Sequence, residues 1–147
     1  MAARPPERAG GPDPADGAAG PAGEVYDWYR RGLALLDTGN PDAAAHLLER
    51  AVQDEPGSAS LREALGRALF DAGRYARARD VFDGLVARSP DDDYARFGLG
   101  LALSRLGQLP AAVEHLAMAA VMRPQRREYV DALRQARATL RAREGER

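Results

Sequence analysis

From Glu24 onward, leucine and alanine recur at helical spacing, and glycine or proline interrupts them at short intervals. Windows of 34 residues starting at Val25, Ala59 and Asp93 bring the same residue types into register without a gap. Glycine stands at Gly32, Gly66 and Gly100 and again at Gly39, Gly73 and Gly107, alanine at Ala44, Ala78 and Ala112, and proline at Pro56, Pro90 and Pro124. Large apolar side chains recur at Leu35, Leu69 and Leu103, and at Leu48, Phe82 and Leu116. Chance placement of so infrequent a residue as proline three times in phase is improbable. The chain reads as one unit repeated over residues 25–58, 59–92 and 93–126.

Each unit predicts two helices. In the first unit residues 25–38 form a helix, which Gly39 ends by taking a left-handed conformation. Asn40 and Pro41 then supply an N-cap and a first helical position for a second helix running to Asp54, and Pro56 stops it. The same reading gives helices at 59–72 and 75–88, then at 93–106 and 109–122. Small residues at Gly32, Ala44, Gly66, Ala78, Gly100 and Ala112 let the paired helices approach closely. A stack of such hairpins leaves its last apolar face uncovered. Residues 127–143 fit a capping helix, with Val130, Leu133 and Leu140 at helical spacing among arginines and glutamates, and residues 144–147 are expected to fray. Residues 1–23 contain no leucine, valine or aromatic residue and read as a disordered arm.

The arrangement resembles the tetratricopeptide repeat. The residues that carry the likeness are Trp28, Gly32, Ala44 and Pro56, then Leu65, Gly66, Ala78, Phe82 and Pro90, then Leu99, Gly100, Ala112 and Pro124. It covers residues 25–126. The departures are Arg31 in place of leucine, Arg62 and Arg96 in place of tryptophan, and Leu35, Leu69 and Leu103 in place of an aromatic residue. The small positions are intact, so the hairpins stand. The resemblance implies an all-α, right-handed α-solenoid of three helix hairpins plus a C-terminal capping helix, with the concave inner surface as the usual ligand groove.

On a helical wheel the fourth, seventh, eighth and eleventh positions of each first helix share the buried face, and the second, fifth, ninth and twelfth lie opposite. The groove lining is therefore expected to be Tyr26, Tyr29, Leu33 and Leu36, then Ser60, Glu63, Arg67 and Phe70, then Tyr94, Phe97, Leu101 and Ser104, with Glu128, Asp131 and Gln135 from the cap. Five of these are aromatic. If each displays half of the ~150 Å² an aromatic side chain can bury, the patch reaches roughly 375 Å², in the range of functional surfaces. Tyr26, Tyr29, Leu33, Tyr94, Phe97 and Leu101 are the expected apolar anchors, Phe70 a further contact, and Glu63, Arg67 and Arg105 the polar selectors. The expected ligand is a helical or extended segment of another protein. Two rivals use the same face, namely burial in a homodimer and cover by the N-terminal arm. The resemblance also raises the carboxylate clamp of some family members. It needs basic and amide side chains where this chain has Tyr29, Leu33, Ala64, Tyr94 and Gly98, so that clamp is absent.

Composition narrows the chemistry. The chain has 147 residues, 45% of them hydrophobic, enough for one domain with a core. Its 21 basic residues are all arginine and balance 22 acidic ones to a net charge of -1, so no bulk field draws it to nucleic acid or anionic lipid. Abundant arginine and alanine without lysine or isoleucine fit high-G+C bacterial coding. With no cysteine there is no disulfide, thiolate metal site or thiol nucleophile. The two histidines, His46 and His115, lie on separate second helices and read as surface residues, so no catalytic residue, metal or cofactor is expected and the chain is read as no enzyme. Asp91, Asp92 and Asp93 lack the alternating ligands of a calcium loop and read as a cap for the helix beginning at Asp93. From Arg123 to Arg147 eight arginines face four carboxylates, which makes an RNA-associated adaptor a third class, ranked last because no aromatics interleave. No run approaches the ~20 apolar residues of a membrane span, and a cytoplasmic location is expected.

Overall fold

The computed structural model describes residues 21–146. Seven helices follow one another: α1 (Pro21–Asp37), α2 (Pro41–Asp54), α3 (Ala59–Asp71), α4 (Tyr75–Arg88), α5 (Asp93–Arg105), α6 (Leu109–Met122) and α7 (Arg127–Gly145). They pair as the hairpins α1–α2, α3–α4 and α5–α6, with α7 packed on α6. First helices also pack on the next first helix along the array, whereas the second helices stand further apart, α2 and α4 meeting through the Arg77–Glu49 ion pair. The stack therefore curves, with α1, α3, α5 and α7 on its inner side.

Both turn types of the repeat are fixed by local hydrogen bonding. Within each hairpin the glycine is left-handed, at φ 78° for Gly39, 80° for Gly73 and 79° for Gly107. That conformation lets the next N–H reach back to a terminal carbonyl, Asn40 to Leu35 at 2.8 Å, Arg74 to Leu69 at 2.8 Å and Gln108 to Leu103 at 2.9 Å. Between hairpins Ser58 Oγ accepts the Leu61 N–H and Asp92 Oδ1 accepts the Ala95 N–H. It is Asp92, one residue before the expected start, that caps α5. The arginines standing where the family has tryptophan act in these same turns. Arg62 Nε donates to the Pro56 carbonyl and Arg96 Nε donates to the Pro90 carbonyl at 2.7 Å, so each pins the chain six residues behind it. Asn40 makes no side-chain cap; its amide donates instead to Thr38.

Inside each hairpin a large side chain of the second helix sits on a glycine of the first. Leu48 covers Gly32, Leu116 covers Gly100, and Phe82 lies between Gly66 and Gly98, so that a Cβ added at Gly98 would stand 2.5 Å from its ring. Close packing of this kind leaves no room for even one methyl group. Leu48, Phe82 and Leu116 are fully buried.

The outermost helices of the array carry charge where the inner repeats carry apolar or small residues. Where α3 and α5 bury Leu61, Leu65 and Ala95, Leu99, α1 exposes Asp27 and Arg31. Where the three hairpins carry their glycine and leucine, α7 exposes Arg134 and Arg137. Two boundaries differ from the pattern by more than one residue. Residues 21–23 of the expected arm belong to α1, because Pro21 is favoured at a helix start and Glu24 suits the positive end; residues 1–20 lie outside the described residues. The last helix continues to Gly145 rather than stopping at residue 143.

Gly98→Ala is expected to cost about 1–3 kcal/mol through overpacking on Phe82. Gly84→Ala in α4, where a Cβ meets nothing within 4 Å, should instead stabilise by about 0.5–1 kcal/mol. Urea unfolding followed by circular dichroism distinguishes the two directions.

Candidate interaction surface

The inner side was expected to display aromatic rings; it encloses them. Tyr29, Phe70, Tyr94, Phe97 and Leu101 are all buried, Tyr94 at 2% exposure and Phe97 at 1%. Phe97 lies 4.6 Å from the Tyr129 ring, Phe82 contacts Tyr94 edge-on at 6.2 Å, and Phe70 contacts Tyr75 edge-on at 5.1 Å. Tyr129 donates to Asp93 Oδ2 at 2.7 Å, and burial followed by that bond pushes its hydroxyl above the ordinary tyrosine range. Glu63 and Arg67, expected as accessible selectors, are buried as well. Leu36 of the expected lining is core at 1% exposure.

The reason lies in the curvature. A wheel assigns each helix one buried and one wet face, but α3 and α5 have an inner helix on either side as well as a hairpin partner. Burial consequently runs almost all round them, through residues 63–70 of α3 and 94–103 of α5. The signal was present in the sequence of α5, whose apolar and small residues run unbroken from Phe97 to Leu103 rather than alternating with polar ones.

What stays accessible on the inner side is a narrower, more polar strip. Tyr26, Leu33, Ser60, Asp71, Ser104 and Arg105 are half-buried, and Asp37 is exposed. Arg105 is held in place: Nη1 donates to the Tyr75 hydroxyl at 2.8 Å, and the guanidinium lies 5.2 Å from the Phe70 ring and 5.3 Å from that of Tyr75. Arg67 reaches Asp37 at 3.5 Å, while its buried Nε makes no hydrogen bond among the described residues. Glu128, Asp131 and Gln135 of α7 are exposed.

Three features lie elsewhere. The large hydrophobics exposed among the described residues are Met118 and Val121 on α6, and α6 carries Glu114 as its one formally charged side chain. A sequence scan for charge-poor second helices would have found it. A shallow depression of about 430 Å³ on the first hairpin is lined by Arg31, Ala34, Leu35, Thr38 and Leu47. Trp28 is half-buried against the core, with Arg50 stacked on it at 4.9 Å.

The described residues contain no cluster of three or more His, Cys, Asp or Glu side chains able to hold a metal ion. No helix among them is long and apolar enough to cross a membrane. His46 is exposed, and His115 Nδ1 lies 3.2 Å from Arg96 Nη1. Fold and surface together define a helical-hairpin repeat protein.

Comparison with known proteins specifies which. The family model described as tetratricopeptide repeat matches residues 29–93 and 63–127, and the chain belongs to that family. Cellulose synthase operon protein C of Xanthomonas axonopodis pv. citri (strain 306) is 35% identical over 86 residues, 58% of this chain. The chain spans only 6% of that relative's length. The first TPR domain of human RPAP3 is 20% identical, with 84% of this chain and 97% of that one covered at a TM-score of 0.77. The first TPR of Spaghetti (RPAP3), bound to the HSP90 peptide SRMEEVD, is 19% identical, with 80% and 94% covered at a TM-score of 0.75. At these identities the likeness to the two structures establishes the shared fold. The fold commonly mediates protein–protein interaction, generally without catalysis.

Burial first, and the Arg96 guanidinium second, hold the His115 imidazole below its ordinary value. The unfolded chain therefore binds this proton more readily than the folded one. The contribution is neutral well above a pH of about 6.5 and becomes progressively destabilising as pH falls below it toward the lowered folded value. His115→Gln is expected to remove that part of the loss, measured as the difference in urea midpoint between about pH 7 and pH 5.

Proposed function

We propose that the chain is a non-catalytic interaction module that receives a peptide or helix of a partner protein on its inner side. Arg105 is the observation that carries this reading. A half-buried guanidinium held by a tyrosine hydroxyl and two rings has lost its conformational freedom before any ligand arrives, which lowers the entropic cost of pairing with a carboxylate. Tyr26 and Leu33 flank the strip as the apolar contacts. Tyr29, Glu63, Arg67, Phe70, Tyr94, Phe97 and Leu101 form its floor, shaping the surface rather than anchoring a guest. The HSP90 peptide SRMEEVD bound to Spaghetti is acidic at its end, which suits a basic selector, but this chain lacks the clamp residues and would hold such a segment differently.

Self-association is the second reading, moved from the inner side to α6. Met118 and Val121 are displayed where α2 carries Arg50 and Gln53 and α4 carries Gly84 and Ala87 at the equivalent positions, and the fold gains nothing from leaving them wet.

Arg105→Glu is expected to abolish recovery of the partner in a pull-down from the source cells, with helicity unchanged and Arg137→Glu at the end of the array as an unaffected control. Equal recovery by all three proteins would contradict the inner-side reading. Light scattering tests the second: Val121→Glu should shift a concentration-dependent dimer to monomer.

A further inference from the structure

We infer that the two ends of the array recognise each other, α7 of one copy of the chain packing on α1 of the next. Each end lacks a neighbour that the interior has. Asp27, Arg31 and Ala34 of α1 stand where α3, packed between α2 and α4, buries Leu61, Leu65 and Ala68. Arg134 and Arg137 of α7 stand where α5 carries Gly100, under Leu116 of α6, and Leu103. Among the described residues no helix occupies either place.

The charges displayed there are complementary. Glu24, Asp27 and Arg31 are exposed at one end, and Arg134, Arg137 and Arg141 at the other. None of Glu24, Asp27, Arg31, Arg137 and Arg141 makes an ion pair among the described residues, and Arg134 reaches only the exposed Asp131, at 3.8 Å.

Direction follows from the array and from the charges independently. Neighbouring helices joined by tight turns run antiparallel, so a helix filling the place beside α7 runs against it. Set that way, Glu24 comes opposite Arg137 and Asp27 opposite Arg134, with a rise of about 4.5 Å between the two residues on either helix. Arg31, one turn further, comes beside Val130 and Asp131. The depression lined by Ala34, Leu35, Thr38 and Leu47 lies under the start of α7 and lends the contact an apolar part. A parallel setting that keeps both acid–base pairs brings Arg31 onto Arg141 instead.

Such a contact is weak and sensitive to salt, because exposed ion pairs contribute little each and are screened. It joins unlike ends, so every added copy leaves one of each free and growth continues past the dimer. The contact through Met118 and Val121 is apolar and is not weakened by salt. Because α1 takes the place of a second helix beside α7, successive copies turn their inner sides opposite ways and each strip stays open.

Sedimentation of the full chain carrying Val121→Glu, which removes the α6 contact, tests the inference without any partner. At about 0.05 M salt the average mass should rise past roughly twice that of one chain as the concentration approaches ~1 mM, and return to that of one chain at about 0.5 M salt. In the same background Glu24→Gln/Asp27→Arg and Arg134→Glu/Arg137→Glu should each stay monomeric with helicity unchanged. Their equimolar mixture should grow again, because each variant restores the match that the other has lost. A chain that is monomeric throughout, growth that either variant retains, or a mixture that stays monomeric overturns the inference. So does a chain that stays monomeric and binds polyuridylate through Arg134 and Arg137, which assigns those arginines to phosphate. No residue of the inner strip is altered, so the result is independent of the pull-down with Arg105→Glu.

Discussion

The architecture depends on one contact made three times, a large side chain of the second helix seated on a glycine of the first. Leu48 on Gly32, Phe82 on Gly66 and Leu116 on Gly100 set how closely each hairpin closes. The closeness of each hairpin sets how the next one stacks. Phe82 extends the contact forward to Gly98, so the second hairpin and the third share a single ring as their joint. Curvature follows, and curvature decides which side chains remain in water.

That chain of dependence explains how the family pattern can be broken at the tryptophan position without loss of the fold. Arg62 and Arg96 contribute hydrogen bonds to the turns instead of bulk to the hairpin, and the burial of Arg96 is compensated by the Pro90 carbonyl it holds. The final turn has neither device, since Val130 stands at the equivalent position and Arg126 makes no side-chain cap. α7 is secured through Tyr129, which bonds to Asp93 and lies against Phe97.

Helix positions were legible in the sequence because glycine, proline and capping residues act within a few residues of where they stand. Gly39, Gly73 and Gly107 mark their turns by a backbone conformation that no distant contact supplies. The surface was less legible. Whether Tyr94 is wet depends on how near α3 and α7 come to α5, a distance set by the packed glycines and not by the local pattern around Tyr94. Arg105 is a selector in the sequence reading although it stands one residue past the lining register, and its grip by Tyr75 and Phe70 joins residues far apart in the chain. Met118 and Val121 lie on a second helix, outside the register that predicts the groove, and the low charge of α6 is their one signal in the sequence.

The central claim is that the inner rings belong to the protein's own interior, leaving a polar strip as the working face. A soluble gadolinium chelate added to the protein tests it through the relaxation of side-chain protons. The rings of Tyr94, Phe97 and Tyr129 should relax slowly while the methyl groups of Met118 and Val121 relax fast. Ring protons as strongly affected as those methyls would contradict the account.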